Sequence, residues 1–198
     1  MPSTAARWAV EEVTNSTMIL FAALPIPYGI TKDIVRLQKG VSGARWRPAE
    51  SLHITVCYFG EVDDDRAEEL DRHLASRAVP AIELSLKGVG HFGRNPPHSL
   101  WAGVAENPAL TGLHEHAKAS ARRAGIEVER RLYRPHLTMA YLREDVDPAR
   151  IISFEQRLAR WESEPFLVDE MQLWSSHRKK RGPNLYRVEA TYPLEGRS

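Results

Sequence analysis

Apolar positions change their spacing several times along the chain, and each change predicts an element. Met18 to Leu24 is an unbroken apolar run, read as a buried strand, and Pro25 and Pro27 stop it. Ile30, Ile34, Val35 and Leu37 then recur at helical spacing across 30–39, up to Gly40. Trp46 opens a short strand leading into a second apolar strand, His53 to Phe59, which Gly60 ends. The acidic run 63–65 is a helix start, with Leu70, Leu74 and Val79 as the apolar side and Pro80 as the stop. Residues 81–89 alternate through Ile82, Leu84 and Leu86, the period of a half-buried strand. Asn95-Pro96-Pro97 is a loop, and Ser99 to Val104 a strand. Pro108 to Ala124 carries Leu110, Leu113, Ala117 and Ala121 on one helical stripe and ends at Gly125. Another strand spans Tyr133 to Tyr141; Asp147-Pro148 caps a helix running to about Trp161. Phe166 to Ser175 and Leu185 to Tyr192 close the chain as strands.

Strands interleaved with helices in this way predict an α+β fold of two lobes. Both lobes are antiparallel-rich. One β-α-β-β-like unit lies before about residue 95 and a similar one after it. Residues 1–17, held by little more than Trp8 and Val10, form an N-terminal extension to a single bilobal domain over 18–198.

Composition narrows the function classes. The 198 residues are 42% hydrophobic, enough for a sizeable core, and the formal charge of +1 gives no electrostatic case for coating long nucleic acid. The single cysteine, Cys57, excludes an intrachain disulfide framework and fits a reducing compartment. No apolar run reaches the length of a membrane span. A cytoplasmic monomer is expected.

The chemistry sits in two strands with one pattern, His53-Ile54-Thr55-Val56 and His136-Leu137-Thr138-Met139. Strand side chains alternate faces, so His53 with Thr55, and His136 with Thr138, each form a polar face backed by an apolar one. Two imidazoles facing one phosphate make an acid–base pair near neutral pH, and hydroxyls beside them donate to phosphate oxygens. Cys57 is the only soft ligand on either His face and no carboxylate joins it, so no metal and no cofactor are expected; as a small apolar filler Cys57 has a simpler role. His114-Glu115-His116 lies on a helix, where adjacent positions diverge, and reads as solvated. No Gly-x-Ser-x-Gly elbow and no phosphate-cradling glycine loop is present. Arg134, two residues before His136, is a phosphate-binding candidate. Phe92 and Tyr133 are candidates either for stacking a nucleobase or for core packing. The run Arg178-Lys179-Lys180-Arg181-Gly182-Pro183 is a basic loop, a solvated turn or a steering element for an RNA phosphate.

The two His-x-Thr motifs, in this order and spacing, resemble the 2H phosphoesterase superfamily, in its RNA 2′,3′-cyclic phosphodiesterase (2′-5′ RNA ligase-like) branch. Met18 to Pro25 is similar to the family's opening strand, and Arg45-Trp46-Arg47-Pro48 before Ser51-Leu52-His53 to its approach to the first motif. Gly88 to Gly93, Leu100 to Val104, Leu173 to Ser176 and Tyr192-Pro193-Leu194 continue the likeness, which spans about residues 18 to 194. The resemblance implies two pseudo-symmetric lobes, each an antiparallel-rich sheet with helices outside, with the motif strands facing each other across an active-site cleft between them. It also implies hydrolysis of a 2′,3′-cyclic phosphate, on an RNA end or a nucleotide, to a 2′-phosphate. By it His136 is the base and His53 the acid. Two positions depart from the family: Cys57 stands where a basic residue is common, and Tyr141 where an arginine often occurs. Alternation puts Cys57 on the His53 face and turns Tyr141 away from the His136 face. Binding of an RNA end or cyclic nucleotide without turnover, and reversible 2′-5′ ligation, are the competing functions.

Overall fold

The computed structural model describes residues 17–177 and 184–195, so the N-terminal extension up to residue 16 and the basic loop 178–183 lie outside the described residues. The elements run β1 (Thr17–Pro25), α1 (Tyr28–Leu37), β2 (Ala44–Trp46), β3 (His53–Asp63), α2 (Asp64–Leu74), β4 (Ile82–Leu84), β5 (Leu86–Phe92), β6 (Ser99–Val104), α3 (Pro108–Arg123), β7 (His136–Leu142), α4 (Pro148–Leu158), β8 (Phe166–Val168), β9 (Glu170–His177) and β10 (Leu185–Pro193). Two helices begin where the sequence signals a start, at Asp63 and Asp147, and a third is capped by Asn107. The Asp63, Asn107 and Asp147 side chains accept from the backbone N–H of Arg66, Leu110 and Ala149. No helix among the described residues is long and apolar enough to cross a membrane.

The fold is α+β, as expected. The large sheet has the order β10-β9-β1-β3-β7-β6-β5, with β2 also paired to β7, and every pairing is antiparallel. Strands β4 and β8 form a separate pair. Two halves meet at the centre of the large sheet: β10-β9-β1-β3, covered by α2 and α3, and the group β2, β7, β6 and β5, covered by α4. A division near residue 95 is wrong, however. β5 precedes that point yet belongs with β7, and the last two strands return to complete the sheet of β1 and β3. The open edge of β1 is covered by β9, a partner from the far end of the chain that no local pattern can nominate.

The halves are joined at the register pair Ile54↔Leu137, both fully buried. β2 and β3 share one edge of β7: β2 lies beside Ala140 to Leu142, and β3 returns at Leu137. Between these contacts the chain leaves the sheet through a 3-10 turn, Ala49–Ser51. The main core, including Leu20, Ile54, Leu70, Leu113, Leu137 and Met139, lies on the helix-covered face. The other face carries a small aromatic cluster of Phe21, Trp174 and Tyr186.

β-Bulges alter the simple alternation in both motif strands. Against β1, Cys57 pairs with Ala22 and Thr55 with Ala23, so Val56 is an extra residue. Against β6, Ala140 pairs with Leu100 and Thr138 with Trp101, so Met139 is extra. Each bulge reverses the facing of the residues that follow it, in β3 as far as a second irregularity at Phe59. After Thr55, two buried residues precede exposed Tyr58; after Thr138, two buried residues precede exposed Tyr141. The extra residues' carbonyls find new donors: His114 Nδ1 reaches Val56 O at 2.6 Å, and the Arg47 backbone N–H reaches Met139 O at 2.8 Å.

Candidate active site

The pair Ile54↔Leu137 sets the geometry of the cleft face. One step either way along that antiparallel register puts His53 opposite Thr138 and Thr55 opposite His136, each imidazole across from the other strand's hydroxyl. All four side chains are partly accessible while Ile54, Val56, Leu137 and Met139 are buried, the alternation expected of the two motifs.

Each imidazole is oriented in the same way. His53 Nδ1 lies 2.9 Å from the carbonyl of Ser51, and His136 Nδ1 lies 2.7 Å from that of Arg134. A carbonyl only accepts, so Nδ1 carries the hydrogen and Nε2 is the free atom of each neutral ring. Aromatic rings wall both. Phe21, Trp174 and Tyr186 stand 5.2, 4.9 and 5.7 Å from His53, and Phe92 meets His136 edge-on at 4.8 Å. Phe92 rests on Trp101, whose ring crosses Gly90 so closely that a Cβ there would lie 2.4 Å from it. Burial lowers the His53 pKa to about 4, against the pull of the Ser51 carbonyl; Arg47 and His136 lower it further. Burial also lowers that of His136, opposed by the Arg134 carbonyl. Both rings are therefore neutral at pH 7 in the unliganded protein.

Two cavities flank this line. The larger, 660 Å³, opens beside His136 and is lined by Phe92, His98, His114, Tyr133 and Arg134 among others. The smaller, 340 Å³, opens beside His53, with Arg47, Thr138, Tyr141 and Tyr186 in its wall. Thr55 and Tyr58 border both.

The predicted residues thus gather in one place. Arg134 is exposed at the larger cavity, and its carbonyl fixes His136. Phe92 and Tyr133 are wall residues of that cavity and partly buried. One face of the Tyr133 ring is taken by His114, stacked at 3.9 Å, and its hydroxyl donates to the Thr55 carbonyl at 3.1 Å.

Three expectations need correction. Cys57 is not exposed on the His53 face as plain alternation gives: the bulge at Val56 leaves it 3% exposed, packed in the main core where that core lines the larger cavity, and burial pushes its thiol up to about 12. The apolar-filler role is the one it has. Tyr141 does not face away, because the bulge at Met139 turns it into the cleft. His114 and His116 are not simply solvated, since His114 is buried and His116 Nε2 lies 3.2 Å from the Leu74 carbonyl. Among the described residues, no three His, Cys, Asp or Glu side chains gather as a ligand set.

Sequence reasoning gave no role to Tyr58 or Arg47 and turned Tyr141 away from the cleft. A signal for the tyrosines was present: both motif strands read His-x-Thr-x-small-Tyr, as His53 to Tyr58 and His136 to Tyr141.

The profile of the 2′-5′ RNA ligase superfamily matches residues 27–180. An RNA 2′,3′-cyclic phosphodiesterase of Thermotoga maritima is 29% identical over 188 residues, covering 90% of this chain and 97% of that protein. Its Bacillus subtilis counterpart of the same name is 31% identical over 161 residues, covering 77% and 87%. The crystal structure of Escherichia coli LigT complexed with 3′-AMP has a similar fold, with a TM-score of 0.73 at 23% identity over 90% of this chain and 99% of that one.

Proposed function

The chain belongs to the 2′-5′ RNA ligase superfamily, and on that footing we propose that it opens 2′,3′-cyclic phosphates by adding water, at RNA ends or on nucleotides. The observation that carries this reading is the pair of imidazoles, each pinned through Nδ1 to a carbonyl and each opposite a threonine hydroxyl. His136 Nε2 takes a proton from water, whose oxygen bonds to phosphorus. The bond from phosphorus to the 3′ oxygen breaks, and that oxygen leaves with a proton from His53 Nε2, giving a 2′-phosphate. Thr55 and Thr138 donate to the non-bridging oxygens as charge builds there. The two imidazoles handle both protons, so no step is routed through a metal or cofactor. Arg134, Phe92 and Tyr133 line the larger cavity and serve the attached nucleoside. The working unit is taken as one bilobal domain from residue 18 onward, acting as a cytoplasmic monomer.

The test is product analysis on an oligonucleotide ending in a 2′,3′-cyclic phosphate. A 2′-phosphate end is expected. A 3′-phosphate would reverse the direction of opening. Recovery of intact substrate, bound but unturned, would establish a binding module instead.

The pH profile follows from the lowered imidazole pKa values. A lowered pKa means the proton is lost at lower pH, so little of the acid is protonated in the free enzyme above pH 6.5. Since kcat/KM reports the free enzyme, it should follow a bell centred on the acid side of an ordinary histidine. A bound phosphate anion stabilises imidazolium, so the alkaline limb of kcat should lie higher. Rates measured from pH 4 to 9 decide this, and a flat kcat/KM across that range would rule out the histidines as proton carriers.

A further inference from the structure

Arg47 is a buried cation with no counterion among the described residues. It is 5% exposed, Nη2 has no hydrogen-bond partner, and it forms no ion pair among the described residues. Its guanidinium lies 5.5 Å from the ring centre of Tyr141 and 5.1 Å from that of Tyr186. Burial pushes the Tyr186 hydroxyl up to about 12, so it stays neutral and does not balance the charge. Contact with two aromatic faces returns only part of what dehydrating a guanidinium costs. A site that keeps such a charge is organised for an anion from outside.

The position is set by the backbone. Arg45 pairs with Tyr141 across β2 and β7, and Arg47, two residues on, points to the same cleft face. Its N–H closes the bulge carbonyl of Met139, and its own carbonyl accepts from Gln38 Nε2 at 2.9 Å. Arg47 therefore stands where β3 and β7 splay apart, in one cavity wall with His53, Thr55 and Thr138.

We propose that Arg47, seated on Tyr141 and Tyr186, binds a non-bridging oxygen of the phosphate being opened, on the His53 side of the cleft. This rests on the hydrolytic reading above. A planar fork of donors suits a phosphate better than a point charge.

Inorganic phosphate is the probe, titrated by calorimetry into the wild type and into Arg47→Met, Arg47→Lys, Arg47→Met with Tyr141→Arg, and His136→Ala. Arg47→Met should weaken phosphate binding roughly 10–100-fold and raise KM similarly, the range of a lost charge-assisted hydrogen bond. Its Tm without ligand should hold or rise, because a buried unpaired charge has gone. Arg47→Lys should fall between, and the double variant should regain most of the lost affinity by returning a guanidinium from the Tyr141 side. His136→Ala should still bind phosphate while losing turnover. The proposal is overturned if the wild type does not bind phosphate or if Arg47→Met binds it equally well. A lower Tm in Arg47→Met with unchanged affinity would mark a purely structural arginine. Should Arg47→Met not fold, unchanged affinity and KM in Arg47→Lys, together with no gain from Tyr141→Arg, would reject it. Loss of phosphate binding in Arg47→Met, with no cyclic phosphate turned over by any form, would keep the anion site and reject the hydrolytic function.

Discussion

Replacing His53 or His136 by alanine is expected to lower kcat/KM on a cyclic-phosphate substrate by about 10²–10⁴-fold, the yield of one positioned proton donor or acceptor. Both rings are held by a carbonyl two residues upstream and flanked by aromatics, so each offers one free nitrogen, Nε2, for proton transfer. Thr55→Ala and Thr138→Ala should cost less, since each hydroxyl shares the phosphate with other donors. Roles separate with a substrate whose leaving group needs little protonation. On it the His53→Ala enzyme should recover much of its rate and the His136→Ala enzyme should not. Recovery by His136→Ala instead would exchange the roles, and a loss of less than tenfold in both variants would remove the pair from catalysis.

The seam between the two halves should be the most sensitive place for stability. Ile54 and Leu137 are fully buried and form the register pair that joins β3 to β7. Truncating either to alanine removes contacts and leaves a cavity at a point with few others to close it, so a loss of about 2–5 kcal/mol is expected. Urea unfolding measures it, and the slope reports whether the halves still unfold together. Activity should fall as well, because the placement of His53 opposite Thr138 depends on that register. A loss no larger than that of a typical surface change, about 0.5 kcal/mol, with full activity, would show that the lobes are aligned by something else.

The amino-acid sequence by itself determined the elements and the reacting groups. Apolar spacing marked the helices, and aspartates before their first turns marked where two of them begin. Two His-x-Thr strands announced a paired site because facing is a local property: residues two apart in a strand share a side whatever the strand packs against. Burial of Ile54, Val56, Leu137 and Met139 behind the four polar residues follows from that alone.

Tertiary structure decided what depends on partners distant in sequence. Whether a strand takes an extra residue is settled by its neighbour's register and by a donor for the freed carbonyl. Here the His114 ring serves Val56 and the Arg47 backbone serves Met139. Those two bulges moved Cys57 into the core and brought Tyr58 and Tyr141 into the cleft, reversing what plain alternation gives. Strand order likewise overruled position in the chain, since β9 and β10 cover an edge left open by β1. Arg47 reads in the sequence as one more charged residue among 27 Lys and Arg. Only the splaying of β3 from β7 buries it beside two tyrosines, where a charge with no counterion among the described residues becomes informative.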